Sequence, residues 1–255
     1  MSTKVIFLKE KKFKNAVLIA GLPGIGLVGK ICVDYLLKHL KAEKFAEITS
    51  TSFPPSVHTT TGLLELIKDE LYYCSVDNQD FIFLSGPVQP SLDVRHGAQE
   101  HFEFSESIIA ALKEKGLGEV CTLAGINVGD KRMQSSPRVI AAATTKNKLA
   151  EWKKAGAITD KPLGLISGAA GLLAGIGKEN GIVGSCLMGE TSANLVYGDP
   201  GAAKKVLELI IKKYGFKVDM NKMDKEAKEI EKTFAALTKQ FNDSDSDESK
   251  LTYVR

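Results

Sequence analysis

The stretch Ala16-Val-Leu-Ile-Ala20, followed by Gly21-Leu-Pro-Gly24-Ile-Gly26-Leu-Val-Gly29-Lys30 and an amphipathic run to Leu40, constrains the fold more than any other part of the chain. A short apolar run, a glycine-rich turn and a helical period together make a strand-turn-helix unit. Gly24, Gly26 and Gly29 also match the spacing of a dinucleotide-binding turn, and Glu47 falls about where a ribose-binding acid would lie. The details oppose that chemistry. Gly21-Leu22-Pro23 stands between strand and fingerprint, Pro23 has no N–H to offer a phosphate, and Leu22 is pushed toward extended geometry by the proline that follows it. Residues 44–49 read as a strand that continues past Glu47, and Lys30 is followed by Ile31, so no phosphate loop of the Gly-Lys-Ser/Thr kind is present. The expectation is no bound nucleotide and no cofactor. The glycines serve a tight turn and close helix–sheet packing, with Gly24 and Gly26 at positive φ or where backbone comes too near for a Cβ.

Along the rest of the chain apolar runs alternate with helical periods, the pattern of an α/β layer architecture. Strands are expected at 5–8, 16–20, 44–50, 71–76, 80–85, 119–124, 138–144 and 182–187, and helices at 26–40, 97–115, 147–155, 168–177 and 201–214. The fourth and fifth strands, joined through Asp77-Asn78-Gln79, read as a hairpin, which makes the sheet mixed.

A net charge of +3 with scattered lysines leaves no basic stripe for nucleic acid. No apolar run approaches the roughly eighteen residues of a membrane span, and Met1-Ser-Thr-Lys lacks the pattern of a signal peptide, so a cytoplasmic protein without membrane contact is expected. Cys32, Cys74, Cys121 and Cys186 each lie in apolar surroundings without a C-x-x-C pair or a nearby histidine, as small buried hydrophobes do; no metal site is expected. The histidines His39, His58, His96 and His101 are unpaired in sequence.

After residue 216 the character changes. Met223, Ala227, Ile230, Phe234, Leu237 and Phe241 recur with a seven-residue period opposite a face rich in Lys and Glu, which predicts an amphipathic helix over 217–241. Its stripe either packs back on the domain or forms a subunit or partner contact; Met223, Ile230, Phe234 and Leu237 are the candidates for self-association. Residues 242–250, Asn-Asp-Ser-Asp-Ser-Asp-Glu-Ser-Lys, are too polar to pack and read as a flexible tether. It ends in Leu251-Thr-Tyr253-Val254-Arg255, a return of apolar character suited to another protein's groove. The chain thus divides into an α/β domain (1–216), a helix (217–241) and an acidic linker with a terminal peptide (242–255).

Gly21-Leu-Pro23-Gly24-Ile-Gly26-Leu-Val-Gly29-Lys30 with Asp34-Tyr35, Ser52-Phe-Pro-Pro55, Ser85-Gly86, residues 164–173, and Cys186-Leu-Met-Gly189-Glu190-Thr191 together resemble the proteasome assembly chaperone 2 family in its archaeal form, over about residues 15–235. The resemblance implies a three-layer α/β domain like that of nucleoside phosphorylases, without their activity. It implies homo-oligomers or pairing with a related chaperone, and assistance to proteasome α-subunits during assembly. Some members carry a C-terminal hydrophobic-Tyr-any tripeptide that docks between α-subunits, which makes Leu251, Tyr253, Val254 and Arg255 the candidates for partner binding. This chain departs from that tripeptide, because Tyr253 is third from the end, not second.

The competing reading is a small-molecule enzyme of phosphorylase or hydrolase type, resting on the glycine-rich loops at 21–29 and 164–177 and on Asn127, Asp130, Glu190 and His58. Gly164-Leu-Ile-Ser167-Gly168 does not have the spacing of a nucleophile elbow, and no carboxylate pair or Cys/His dyad can be assigned. Glu190 with Thr191 is the most suggestive polar pair, and a glutamate there is expected to satisfy backbone donors at a loop. A pocket beside residues 21–29 with convergent polar groups would favour the enzyme, and a flat filled surface would oppose it.

Overall fold

The computed structural model describes residues 3–90, 97–161, 164–221, 223 and 225. Two strands, β1 (Thr3–Phe7) and β2 (Ala16–Ala20), precede helix α1 (Val28–His39) and β3 (Glu43–Ser50). A small hairpin, β4 (Val57–Thr60) and β5 (Leu63–Leu66), leads to β6 (Asp69–Val76) and β7 (Gln79–Ser85). Then come α2 (Gly97–Glu114), β8 (Leu117–Asn127), the short α3 (Lys131–Gln134), β9 (Val139–Ala143), α4 (Lys146–Ala155), α5 (Ala169–Glu179), β10 (Val183–Thr191) and α6 (Pro200–Tyr214). Eight strands form one sheet in the order β1-β3-β6-β7-β2-β8-β10-β9. Its centre, β7-β2-β8-β10, is parallel, and antiparallel strands extend it on both sides.

Every residue of β2 is buried, because helices cover both faces of the sheet at its centre. Val17 and Ile19 face a core built from α1, α4 and α6, including Cys32, Leu36, Trp152 and Val206. Leu18 and Ala20 face the opposite core, where Phe104, Ile108 and Leu112 of α2 meet Leu173 of α5. This is the expected three-layer α/β domain with a mixed sheet. The hairpin turn between β6 and β7 has positive φ at Asp77 (48°) and Asn78 (64°), the tight turn whose twist matches paired strands. Helix boundaries follow local chemistry. Thr145 Oγ1 accepts from the Lys148 amide at the start of α4, and Gly156 closes it at φ 117°.

Three features differ from the expected elements, the first being the short helix α3, which has no counterpart among the expected helices. β4 and β5 were not anticipated; they pair only with each other, across a turn with Thr61 at φ 52° and Gly62 at φ 85°. β10 runs four residues past Leu187, so Glu190 and Thr191 lie on a strand and not in a loop. Met223 is 1 % exposed and belongs to the core against α1 and α6. Ile230, Phe234, Leu237 and the peptide with Leu251, Tyr253, Val254 and Arg255 lie outside the described residues. Cys32, Cys121 and Cys186 are buried and Cys74 partly so, all free. Burial pushes the thiols of Cys74 and Cys186 up to about 11 and raises Cys32 and Cys121 as well, so none is a ready nucleophile.

Candidate functional site

The glycine-rich turn is a packing joint. A Cβ on Gly21 would stand 2.1 Å from the Gly29 carbonyl oxygen, and one on Gly29 would stand 2.1 Å from the Leu123 carbonyl oxygen. Helix α1 is thereby pressed against β2 and β8 at backbone distance. Gly26 has φ 61°, and a Cβ there would lie 2.4 Å from Thr191 Oγ1. Its carbonyl accepts from the Asp199 amide at 2.7 Å. Gly24 does not meet the expectation: its backbone is extended (φ −163°), and nothing lies within 4 Å of a Cβ placed on it. The constraint at this position of the turn is carried by Gly21 and Gly26 instead. Pro23, which contributes no donor, offers its carbonyl to Gln89 Nε2 at 2.5 Å.

The other motif block closes the joint from the end of β10. Gly189 lets α6 approach, since a Cβ would lie 3.1 Å from the Ala202 carbonyl oxygen. Thr191 donates to Asp199 Oδ2 at 2.8 Å, and Asp199 also accepts from Arg132 Nε (2.6 Å), Arg132 Nη2 (2.7 Å) and the Ala202 amide (2.9 Å). That carboxylate is buried, fully engaged, and caps α6 while neutralising Arg132. Glu190, its side chain 6 % exposed, accepts from the Arg138 amide at 3.2 Å and from Arg138 Nε and Nη2 at 2.9 and 2.7 Å, with Lys161 Nζ 3.5 Å away. The Arg138 guanidinium holds the Glu190 carboxyl below its ordinary range, against the opposing effect of burial. The glutamate does satisfy a backbone donor, and it also holds an arginine at the protein surface.

A cavity of about 410 Å³ opens beside the turn, at the carboxyl ends of β2 and β8. Its walls are mainly apolar, among them Leu22, Pro23, Leu123 and Met188. The polar groups that reach it are Gln89, Asn127 and Ser167. Gln89 already bonds Pro23 and the Ala169 amide, and Asn127 Oδ1 accepts from the amides of Gly129 and Ala193. Among the described residues no acid, base or thiol lines it. The residues on which an enzyme would depend do not converge. His58 is on the exposed hairpin by a groove with Lys30, Asp34 and Glu70, Asp130 is exposed ahead of α3, and Glu190 lines a different cleft. Among the described residues no group of three His, Cys, Asp or Glu could hold a metal.

Apolar surface is concentrated on the β4–β5 hairpin. Cross-strand partners Val57 and Leu66, with Thr59 and Leu64, share one face, whereas His58 and Glu65 share the other. Leu64 and Leu66 are 71 % and 74 % exposed. His58, Glu65 and Leu66 border a groove shared with α1 and β6, while Leu63, on the face of His58 and Glu65, is itself 68 % exposed.

The model of the PAC2 family matches residues 18–238. The chain belongs to the PAC2 family. A curated protein of Methanocaldococcus jannaschii, described as uncharacterized, is 34 % identical over 240 residues, covering 92 % of this chain and 89 % of that one. The crystal structure of Pyrococcus furiosus PbaB, described as an archaeal proteasome activator, is 34 % identical with a TM-score of 0.84, covering 93 % of this chain and 99 % of that one. Pyrococcus furiosus PbaA, described as an archaeal homolog of proteasome-assembly chaperone, shares the fold at 23 % identity and a TM-score of 0.75, covering 98 % and 97 % of the two chains. In this PAC2-family chain Gly21 meets Gly29, Gly26 meets Thr191 and Gly189 meets α6, so most of the sequence signature records how the domain is packed, with Gly24 the exception. Arg132, Arg138 and Asp199 escaped the sequence reading. Asp199-Pro200 ahead of an apolar period was a readable helix start, but nothing local marks the two arginines.

Proposed function

We propose that this PAC2-family protein self-associates, binds proteasome α-subunits and assists proteasome assembly, using its C-terminal peptide as one point of contact. The observation that carries this reading is the likeness to PbaB over nearly the whole length of both chains. The site geometry is in accord. Gly26 packs against Thr191 and accepts from Asp199, the neighbouring cavity has no acid, base or thiol among the described residues, and the exposed leucines of the hairpin are surface of the kind that meets another protein. Self-association has two candidate surfaces, those leucines and the stripe of Ile230, Phe234 and Leu237.

The test is co-purification of the full chain with α-subunits, beside a version ending at Phe241. Retention of α-subunits by the full chain supports the reading. Failure of both versions to retain them overturns it, and equal retention by both removes the tail from it. The description of PbaB favours a second reading, action on an assembled proteasome. Stimulated peptide hydrolysis by mature proteasome, without any effect on the rate of assembly, would identify it.

A further inference from the structure

The cleft that Glu190 lines carries a surplus of positive charge that the folded domain does not use. It encloses about 230 Å³ between the segment around α3 and the end of β10, and Lys131, Arg132, Arg138 and Lys161 line it against a single acid, Glu190. Arg132 is neutralised from behind by Asp199. Glu190 can balance one of the remaining three cations, so the cleft keeps about two positive charges. Arg138 spends Nε and Nη2 on Glu190, which orients the planar group, and its side chain is 61 % exposed. The Lys131 ammonium has no partner among the described residues, and Lys131 and Lys161 are both exposed. A guanidinium fixed by a buried carboxylate, flanked by two ammonium groups in a concave site, is an arrangement for carboxylates of a peptide.

The sequence itself holds a matching ligand. Residues 243–248, Asp-Ser-Asp-Ser-Asp-Glu, place four acids within six positions, alternating with small hydroxyl residues that give the backbone freedom to present them. We infer that this cleft is the seat of the chain's own acidic segment, residues 243–248. Length permits it. From Lys225, the last described residue, to Asp243 the chain spans about 27 Å if helical and about 60 Å if extended. A domain of about 220 residues has a radius of gyration near 17 Å. Tethering also favours it, because a segment on the same chain is present at roughly millimolar effective concentration, ahead of any free anionic peptide. Seated there, the segment would hold the terminal peptide with Tyr253 close to the body until a partner with a better site draws it away. This contact stands independently of whether the tail reaches α-subunits.

Zero-length carbodiimide cross-linking of the full chain, read by mass spectrometry, tests it. Cross-links from residues 243–248 to Lys131 and Lys161 should exceed those to the equally exposed Lys12, Lys41 and Lys154. They should fall severalfold between about 0.02 and 0.5 M salt, as the screening length contracts from about 20 to about 4 Å. Lys131→Glu should lower the yield of the cross-link to Lys161, and Arg138→Gln, which keeps both lysines, should reduce the cross-links to both. Arg138→Gln removes the partner of the buried Glu190 and should lower the melting temperature, so the fold control for every variant is a single cooperative unfolding transition above the temperature of the cross-linking reaction. Cross-links spread evenly over all exposed lysines, or a preference for Lys131 and Lys161 that survives high salt or the Arg138 change, would overturn the assignment.

Discussion

Gly29 and Gly24 sit five residues apart in one glycine-rich turn and have opposite tolerances. Gly29→Ala drives a methyl group against the Leu123 carbonyl, 2.1 Å away, and neither α1 nor β8 can retreat without loosening both cores. The expected loss is at least about 2 kcal/mol of stability by denaturant unfolding. Gly24→Ala meets open space on an extended backbone and should change stability by less than about 0.5 kcal/mol. A nucleotide turn would make the first glycine as intolerant as the third, so equal sensitivity would contradict the packing account. Asp69 supplies a second residue-scale prediction. It is fully buried in β6, beneath Gly86, and neither carboxyl oxygen has a hydrogen bond of good geometry, the Val88 amide being a weak neighbour at most. Burial raises its pKa well above the ordinary value, outweighing the Val88 amide and the Lys30 charge that pull the other way. A carboxyl raised in the folded state stabilises fully below its unfolded value of about 3.9, and that contribution is lost as pH rises through the folded value. The isosteric Asp69→Asn should therefore gain in melting temperature relative to the parent as pH rises from 4 toward neutrality, and a difference flat in pH would place the charge elsewhere. Glu190 has the opposite sign: its lowered pKa means that its contribution is held at neutral pH and lost on acidification.

At the scale of elements, β4–β5 is the piece whose sequence and position disagree most with a solitary chain. A two-stranded hairpin outside the main sheet has little to hold it, and this one leaves Leu63, Leu64 and Leu66 largely exposed. Leu64→Lys with Leu66→Lys should leave the melting temperature within about a degree or two of the parent, since these side chains cover nothing, and should lower the particle mass measured by light scattering. An unchanged mass would leave the stripe with Phe234 as the remaining candidate, tested by Phe234→Asp, which should lower either the mass or the melting temperature. The hairpin also shows where sequence reading failed. β2, α1 and α4 were legible because their signals are local: an unbroken apolar run, a 3.6-residue period, a Thr145 cap and a Gly156 stop. β4 and β5 are four residues each, and their leucines face outward, so the rule that apolar residues mark the core had nothing to mark. The site was legible by halves for a related reason. Glu190 and Thr191 announced themselves in a motif, but their partners come from the fold: Arg138 is 52 residues from Glu190, and Arg132 is 67 from Asp199.

At the scale of the molecule, the proposed function has the folded domain and the terminal peptide acting on a partner together, so that the strength of each would depend on the other. Residues 251–255 follow a polar linker of about nine residues, whose root-mean-square reach is about 15–18 Å. On that proposal, once the domain touched an α-subunit the peptide would search a small volume and contribute through effective concentration, even with a weak affinity of its own. Tyr253 brings the largest contact area and a hydroxyl to that end, while Arg255 sets the terminal carboxylate one residue beyond the place the family's tripeptide gives it. The two effects oppose each other, so the peptide should assist binding without deciding it. Tyr253→Ala is expected to weaken α-subunit binding by roughly tenfold or less, with unchanged melting temperature and particle mass. Surface-immobilised α-subunits, titrated with the full chain, Tyr253→Ala and a chain ending at Phe241, measure the three affinities side by side. Equal affinities for all three would show that the domain alone engages the proteasome and that the displaced tyrosine has no pocket there.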